Sequence, residues 1–131
     1  MPHITIEYTA NLDRDLNLPE LIDTLHASAA TIEAFPLAGL RTRAVRLEHF
    51  RFADGDRDNA FVHLTVRIAH GRSEAVRKAA GEQLFQALCG YLQSLMDTRP
   101  LALSLDLQEM AEGASYKHGN IRDYMARRQP G

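Results

Sequence analysis

From His3 to Tyr8 the chain alternates Ile4, Ile6 and Tyr8 with His3, Thr5 and Glu7, a period of two that predicts a strand with one buried face. The period then lengthens. Leu18, Leu21, Ile22, Leu25, Ala29 and Ile32 recur at helical spacing, with Asn17 placed as the cap, Glu20 as its reciprocal partner and Pro19 in the first turn. Phe35 to Leu40 contains Pro36 and Gly39 and reads as a connection. The β-branched and aromatic content of Arg43 to Phe52 predicts a second strand, and Asp54-Gly55 marks the turn after it. Asn59 to Ile68 alternates Val62, Leu64, Val66 and Ile68 with Phe61, His63, Thr65 and Arg67, which predicts a third strand.

Ser73 then stands as the cap of a long helix whose Val76, Ala80, Leu84, Ala87, Leu88, Tyr91 and Leu95 share one face. Gly81 and Gly90 inside it each cost roughly 1 kcal/mol relative to Ala, so close packing against a neighbour is the expected compensation. Pro100 ends this segment, and Leu101, Leu103, Leu105 and Leu107 alternate with Ala102, Ser104, Asp106 and Gln108 as a fourth strand. From Glu112 onward the tail is polar, with one short helix expected from Ile121 to Arg127; it reads as a docking arm or a partly disordered end.

The element order is therefore βαβ twice, with halves of about 2–52 and 59–110 and a tail over 111–131, within one expected domain. Four strands and two helices make an α+β sandwich. Two topologies fit that order: a ferredoxin-like split βαβ, or two intact βαβ units related by a pseudo-two-fold axis. Periodicity does not choose between them.

Composition narrows the function classes. In 131 residues, 15 basic side chains face 17 acidic ones and six His, which gives no electrostatic reason to expect nucleic acid or an anionic membrane as partner. The expected partner is a small molecule or a protein. The one cysteine, Cys89, lies in the apolar pattern of the second helix and is expected to act as a buried small hydrophobe in a reducing cytoplasm. Neither a signal peptide nor a run of about 18 apolar residues is present, so no membrane span is expected. The basic set is 13 Arg and two Lys, and Arg offers a rigid fork that grips carboxylates through two bonds. A codon bias toward Arg explains the same count.

No glycine-rich phosphate loop, zinc-spaced Cys or His pair, or nucleophile elbow occurs. What remains is Pro2, three arginines and the histidines. Removal of Met1 before a small residue would leave Pro2 as a free secondary amine at the mouth of the first strand. An α-amino group titrates near about 8, and nearby Arg cations lower it toward neutrality, where it serves as a general base. A proline that merely opens a strand is the plainer alternative. Arg41 and Arg43 enter the second strand, and Arg72 stands at the start of the second helix, where helix-terminal N–H groups and a cation converge on an anion. His3, His49, His63 and His70 show no metal-ligand spacing and read as structural or surface groups. Phe50, Phe52 and Phe61 read as core or subunit-interface residues.

Taken in order, Pro2 opening a strand, Phe35-Pro36-Leu37-Ala38-Gly39-Leu40-Arg41-Thr42-Arg43, Ala53-Asp54-Gly55, Asn59-Ala60-Phe61-Val62-His63, Gly71-Arg72-Ser73 and Leu101-Ala102-Leu103-Ser104 resemble the 5-carboxymethyl-2-hydroxymuconate isomerases of the tautomerase superfamily. The resemblance runs from Pro2 to about Met110 and departs mostly over Ala10 to Ala34 and in the tail. It implies two βαβ units forming a four-stranded mixed sheet with two helices on one face, assembled as a homotrimer, with Phe61, His63 and Thr65 at or near subunit contacts.

The same resemblance implies that Pro2 is the catalytic amine and that Arg41 and Arg72, with Arg43 as a further candidate, bind an unsaturated di- or tricarboxylate. The implied reaction is a keto-enol tautomerisation without metal or nucleotide cofactor, in the bacterial breakdown of homoprotocatechuate. Related readings are a tautomerase or dehalogenase acting on another unsaturated acid, or a ligand-binding protein of similar fold whose proline is incidental.

Overall fold

The computed structural model describes residues 2–129. Strands β1 (His3–Thr9), β2 (Arg41–Leu47), β3 (Ala60–Ile68) and β4 (Leu101–Glu109) form one sheet in the order β2-β1-β3-β4. Helices α1 (Leu18–Ala30) and α2 (Glu74–Met96) are the crossovers, and α3 (Ile121–Arg128) lies in the tail. β1 pairs with β2 in parallel and β3 with β4 in parallel, while β1 and β3 meet antiparallel. Each βαβ unit thus keeps its two strands side by side. A split βαβ would insert a strand of the other half between them, so the ferredoxin-like alternative is excluded.

The core lies between the sheet and the two long helices. Ile4 and Ile6 of β1, Val62, Leu64 and Val66 of β3, and Leu21, Leu25, Leu84 and Leu88 of the helices have no exposed surface. Truncating Leu64 or Leu84 to Ala would leave a cavity and cost about 2–5 kcal/mol. α1 sits against β2, α2 against β4, and the helices touch each other. The Nε2 amide of Gln83 joins them by donating to the carbonyl of Ser28 at 3.0 Å and to Thr31 Oγ1 at 2.9 Å. His26 Nδ1 and Thr42 Oγ1, 2.8 Å apart, fasten α1 to β2.

Both predicted caps form. Asn17 Oδ1 accepts from the Glu20 N–H at 3.1 Å and Ser73 Oγ from the Val76 N–H at 3.2 Å. Glu20, however, reaches the Asn17 side-chain amide rather than its backbone, so the capping is reciprocal between side chains.

Several boundaries differ from the sequence reading. β2 begins at Arg41, two residues earlier than predicted, because its parallel register sets Arg41 opposite His3, and it ends at Leu47, five residues earlier than predicted. Beyond it, Phe50 and Phe52 leave the sheet and set their rings edge-on to Phe61, at 6.3 and 5.4 Å between centroids. Ile32 falls past the end of α1. In α2 the buried stripe is Ala80, Leu84, Leu88 and Leu92, while Val76 in the first turn is exposed. The packing expected to offset the two helical glycines exists at Gly81, where a Cβ would rest 3.8 Å from Leu107, but nothing lies within 4 Å of Gly90. Cys89 is half-buried, and desolvation raises its thiol pKa. The tail carries the predicted helix one residue longer, docked on the turn Leu37–Gly39.

Candidate active site

Strand direction gathers the chemistry at one end of the sheet. β1 and β2 begin there, while β3 and β4 finish there and lead into Arg72 and the tail. Pro2 lies immediately before β1. Its ring is fully buried, and its carbonyl accepts the Arg41 N–H at 3.1 Å, so the backbones of Pro2 and Arg41 are clasped across adjacent strands. The removal of Met1 expected from sequence concerns a residue outside the described ones.

Alternation sends Ile4 and Ile6 toward the helices and places His3, Arg41 and Arg43 on the opposite face. Arg43 Nη1 lies 3.1 Å from His3 Nδ1, and Arg41 Nη1 lies 3.4 Å from His3 Nε2. A neutral imidazole accepts at only one nitrogen. The shorter contact assigns that acceptor to Nδ1, which leaves Arg41 with one bond, a 3.3 Å donation to the Gly39 carbonyl. Burial holds the His3 pKa below its ordinary value, and the Arg41, Arg43 and Arg67 charges push it the same way. A neutral His3 between two guanidiniums lets them sit close together without adding a third positive charge.

Arg72 is half-buried and donates from Nη2 to the Ala34 carbonyl at 3.0 Å, tying the segment after α1 to the start of α2. Arg77 Nη1 donates to the Arg72 carbonyl and pairs with Glu109 at 3.3 Å. Of the predicted site residues, Arg41 alone lines the larger cleft, an open space of about 380 Å³ between the Pro36–Arg41 segment and tail residues 117–122. Pro2, Arg43 and Arg72 border the same end of the sheet without lining it.

Sequence reasoning missed two contributors. His3 reads from sequence as structural or surface, yet it contacts Arg41 and Arg43 of β2; the signal is its position on the same face as these two, visible only once the parallel register is known. The tail residues Lys117, His118 and Arg122 also line the cleft and carried no periodicity to single them out.

On the uncovered face, His63 lies between Ser104 Oγ, 2.6 Å from Nδ1, and Asp106 Oδ2, 3.5 Å from Nε2. This set resembles a nucleophile triad in composition. It lines neither cleft, and Asp106 is largely exposed rather than buried behind the imidazole, so it lacks the setting in which a triad acts. No group of three or more His, Cys, Asp or Glu among the described residues is placed to hold a metal ion. No helix among them is long and apolar enough to cross a membrane.

Two βαβ units meeting at antiparallel central strands, with both long helices on one face of the mixed sheet, make a tautomerase-type fold. A family model described as 5-carboxymethyl-2-hydroxymuconate isomerase matches residues 2–125, and the chain belongs to that family. It is 36% identical over 121 residues to the 5-carboxymethyl-2-hydroxymuconate Delta-isomerase of Escherichia coli, covering 92% of this chain and 96% of that one. A crystal structure of a 5-carboxymethyl-2-hydroxymuconate isomerase from Deinococcus radiodurans R1 is 38% identical, with a TM-score of 0.86 over 95% of this chain and 93% of its own. A second, of a 5-carboxymethyl-2-hydroxymuconate delta-isomerase, is 33% identical, with a TM-score of 0.89 over 100% and 95%. A fused 4-OT symmetric trimer, 14% identical with a TM-score of 0.64 over 86% and 89%, shares the fold alone.

Proposed function

We propose that this chain converts 5-carboxymethyl-2-hydroxymuconate to its 2-oxo-3-ene isomer, with the amine of Pro2, freed by removal of Met1, as the proton-transferring base. The observation that carries this reading is the 3.1 Å backbone bond from Arg41 to the Pro2 carbonyl, which holds the residue before β1 against the residue that opens β2, an exposed arginine whose guanidinium donates to one backbone carbonyl among the described residues. The family match beginning at residue 2 supports it.

In the reaction, the Pro2 nitrogen takes the proton of the 2-hydroxyl. The carbon-oxygen bond becomes a carbonyl, the two C=C bonds collapse to one between C3 and C4, and C5 receives a proton. Atoms and charge balance without any redox partner. Negative charge collects on the 2-oxygen and its neighbouring carboxylate as the O–H bond breaks, and Arg41 and Arg72 stabilise it while fixing the substrate's carboxylates. Arg43 acts with them through His3. Nearby guanidiniums also disfavour the protonated amine, which keeps Pro2 basic in form at neutral pH.

The same reading includes a homotrimer. Both long helices cover one face of the sheet, and the other face carries the exposed Val45 on β2 and the half-buried, paired Phe61 and Ala102 on β3 and β4, a surface suited to a second copy of the sheet. Light scattering is expected to give three times the 14.7 kDa chain mass.

The deciding experiment follows ultraviolet decay of 5-carboxymethyl-2-hydroxymuconate with wild type and Pro2→Ala, after intact mass has confirmed that Met1 is gone. Processing before Ala still leaves a primary amine, so full loss of the base is read from protein that keeps Met1, whose Pro2 nitrogen is an amide, and costs roughly 10²–10⁴-fold in rate. A fall of that size in the Met1-retaining protein, with a smaller one in Pro2→Ala, supports the amine mechanism; equal decay in all three removes Pro2 from the chemistry, and no decay above buffer removes this substrate.

A further inference from the structure

We propose that the tail supplies the subsite for the substrate's carboxymethyl arm: Lys117, His118 and Arg122, facing Arg41 across the cleft, bind the third carboxylate. This inference deepens the isomerase reading and rests on it for the identity of the ligand.

The cleft is lopsided in charge. Lys117, His118, Arg122 and Arg41 line it, no Asp or Glu does, and none of these four is ion-paired with a carboxylate among the described residues. Cations elsewhere in the molecule find carboxylates: Arg46 pairs with Asp13 at 2.8 Å, Arg77 with Glu109 at 3.3 Å and Arg99 with Asp15 at 3.0 Å. Gathering positive side chains from two distant segments without a balancing acid is electrostatically unfavourable in the empty protein and favourable once an anion enters.

The tail is also held in a way that suits a ligand. α3 buries none of its residues, and an eight-residue helix is marginal on its own. Its side of the cleft is nonetheless brought against the Leu37–Gly39 turn, so that Ile121 and Arg122 face the segment carrying Arg41. A carboxylate bound between the two would join them.

The stoichiometry of charge agrees. A dienol dicarboxylate needs two cationic positions, which Arg41 and Arg72 provide at the end of the sheet. The carboxymethyl arm adds a third negative group, and the tail is the cationic wall that faces Arg41 across its cleft, at the end of the sheet that Arg72 borders. A side chain's worth of additional positive charge there discriminates by what the substrate carries rather than by the chemistry at Pro2.

The test compares Met-processed wild type, Lys117→Ala/Arg122→Ala and the charge-conserving Lys117→Arg/Arg122→Lys on two dienols: 5-carboxymethyl-2-hydroxymuconate and 2-hydroxymuconate, which lacks the arm. In the alanine variant the ratio of the two KM values is expected to shift at least tenfold against the armed substrate, with kcat on it within about threefold of wild type, and the conservative variant is expected to recover most of the ratio. Calorimetric titration with propane-1,2,3-tricarboxylate and with glutarate separates this proposal from the isomerase reading. If wild type turns over neither dienol, the isomerase reading fails, yet a tenfold weakening confined to the tricarboxylate still supports the subsite. Equal changes toward both ligands, or no change toward either, overturn the subsite whatever the turnover shows.

Discussion

The two ends of the sheet both collect arginines and use them in opposite ways. At the end where β1 finishes and β4 begins, Arg99 is committed to the protein: its Nη atoms donate to the Asn11 carbonyl at 3.1 Å, to Asp15 at 3.0 Å and to the Asp58 carbonyl at 2.8 Å, with its side chain only 14% exposed and its buried Nε without a partner among the described residues. Asn11 extends the network by donating to the carbonyls of Arg57 and Asn59. At the other end Arg41 is exposed and holds one carbonyl, and Arg43 holds only a histidine nitrogen. An arginine whose guanidinium is largely buried and held by three protein acceptors stabilises the fold. One whose donors are left open is positioned to receive something else, and the partners, rather than the count of 13, separate the two roles.

The largest expected effect tests the open end directly. A protein in which Met1 is retained is expected to lose about 10²–10⁴-fold in kcat/KM with its thermal midpoint unchanged, because the Pro2 nitrogen is then an amide and no longer a base. Pro2→Ala, which keeps a primary amine and truncates a buried ring, is expected to lose less activity and some stability. Next come the paired arginine substitutions, which would break the comparison if they behaved alike. Arg99→Ala leaves two carbonyls and the Asp15 carboxylate without their donor and is expected to cost about 2–4 kcal/mol in urea unfolding, with turnover per folded molecule preserved. Arg41→Ala is expected to reverse that pattern: roughly 10–10²-fold lower kcat/KM by the ultraviolet assay, and a stability change within about 0.5 kcal/mol. Destabilisation by Arg41→Ala equal to that of Arg99→Ala would make both ends structural.

The sequence carried different parts of this arrangement with different clarity. β1, β3 and β4 are legible because one face of each packs on helices, so buried residues in β1 and β3 and half-buried leucines in β4 recur at every second position. β2 was placed late because it is an edge strand whose helix-facing positions include the small residues Thr42 and Ala44; its start is fixed by pairing with His3, a partner 38 positions away that local pattern does not contain. The choice between the two topologies likewise depends on which strands neighbour each other, a long-range property. Around the site, Pro2, Arg41 and Arg72 stood out through spaced motifs. His3 did not, since a histidine beside two arginines is visible only after register is known. The tail was silent because α3 has no buried stripe, and what gives Lys117 and Arg122 meaning is a turn some 80 residues earlier in the chain.

The smallest effect sharpens the open end from within. His3 is held neutral by burial and by the Arg41, Arg43 and Arg67 charges, so its pKa in the folded protein lies below that in the unfolded chain. As pH falls through the ordinary imidazole value near about 6.5, the unfolded chain binds this proton first. Stability from this residue is therefore complete above that pH and declines as pH drops toward the lowered folded value, opposite in direction to a histidine stabilised by a carboxylate. His3→Gln removes the titration, and its unfolding free energy is expected to fall less steeply than that of wild type between neutral pH and the onset of carboxylate protonation. Activity adds a second readout: a protonated His3 can no longer accept from Arg43, so wild type KM is expected to rise over the same interval while that of the variant stays flatter. Parallel profiles for the two proteins in both measurements would mean that the charge of this end is set by the arginines alone.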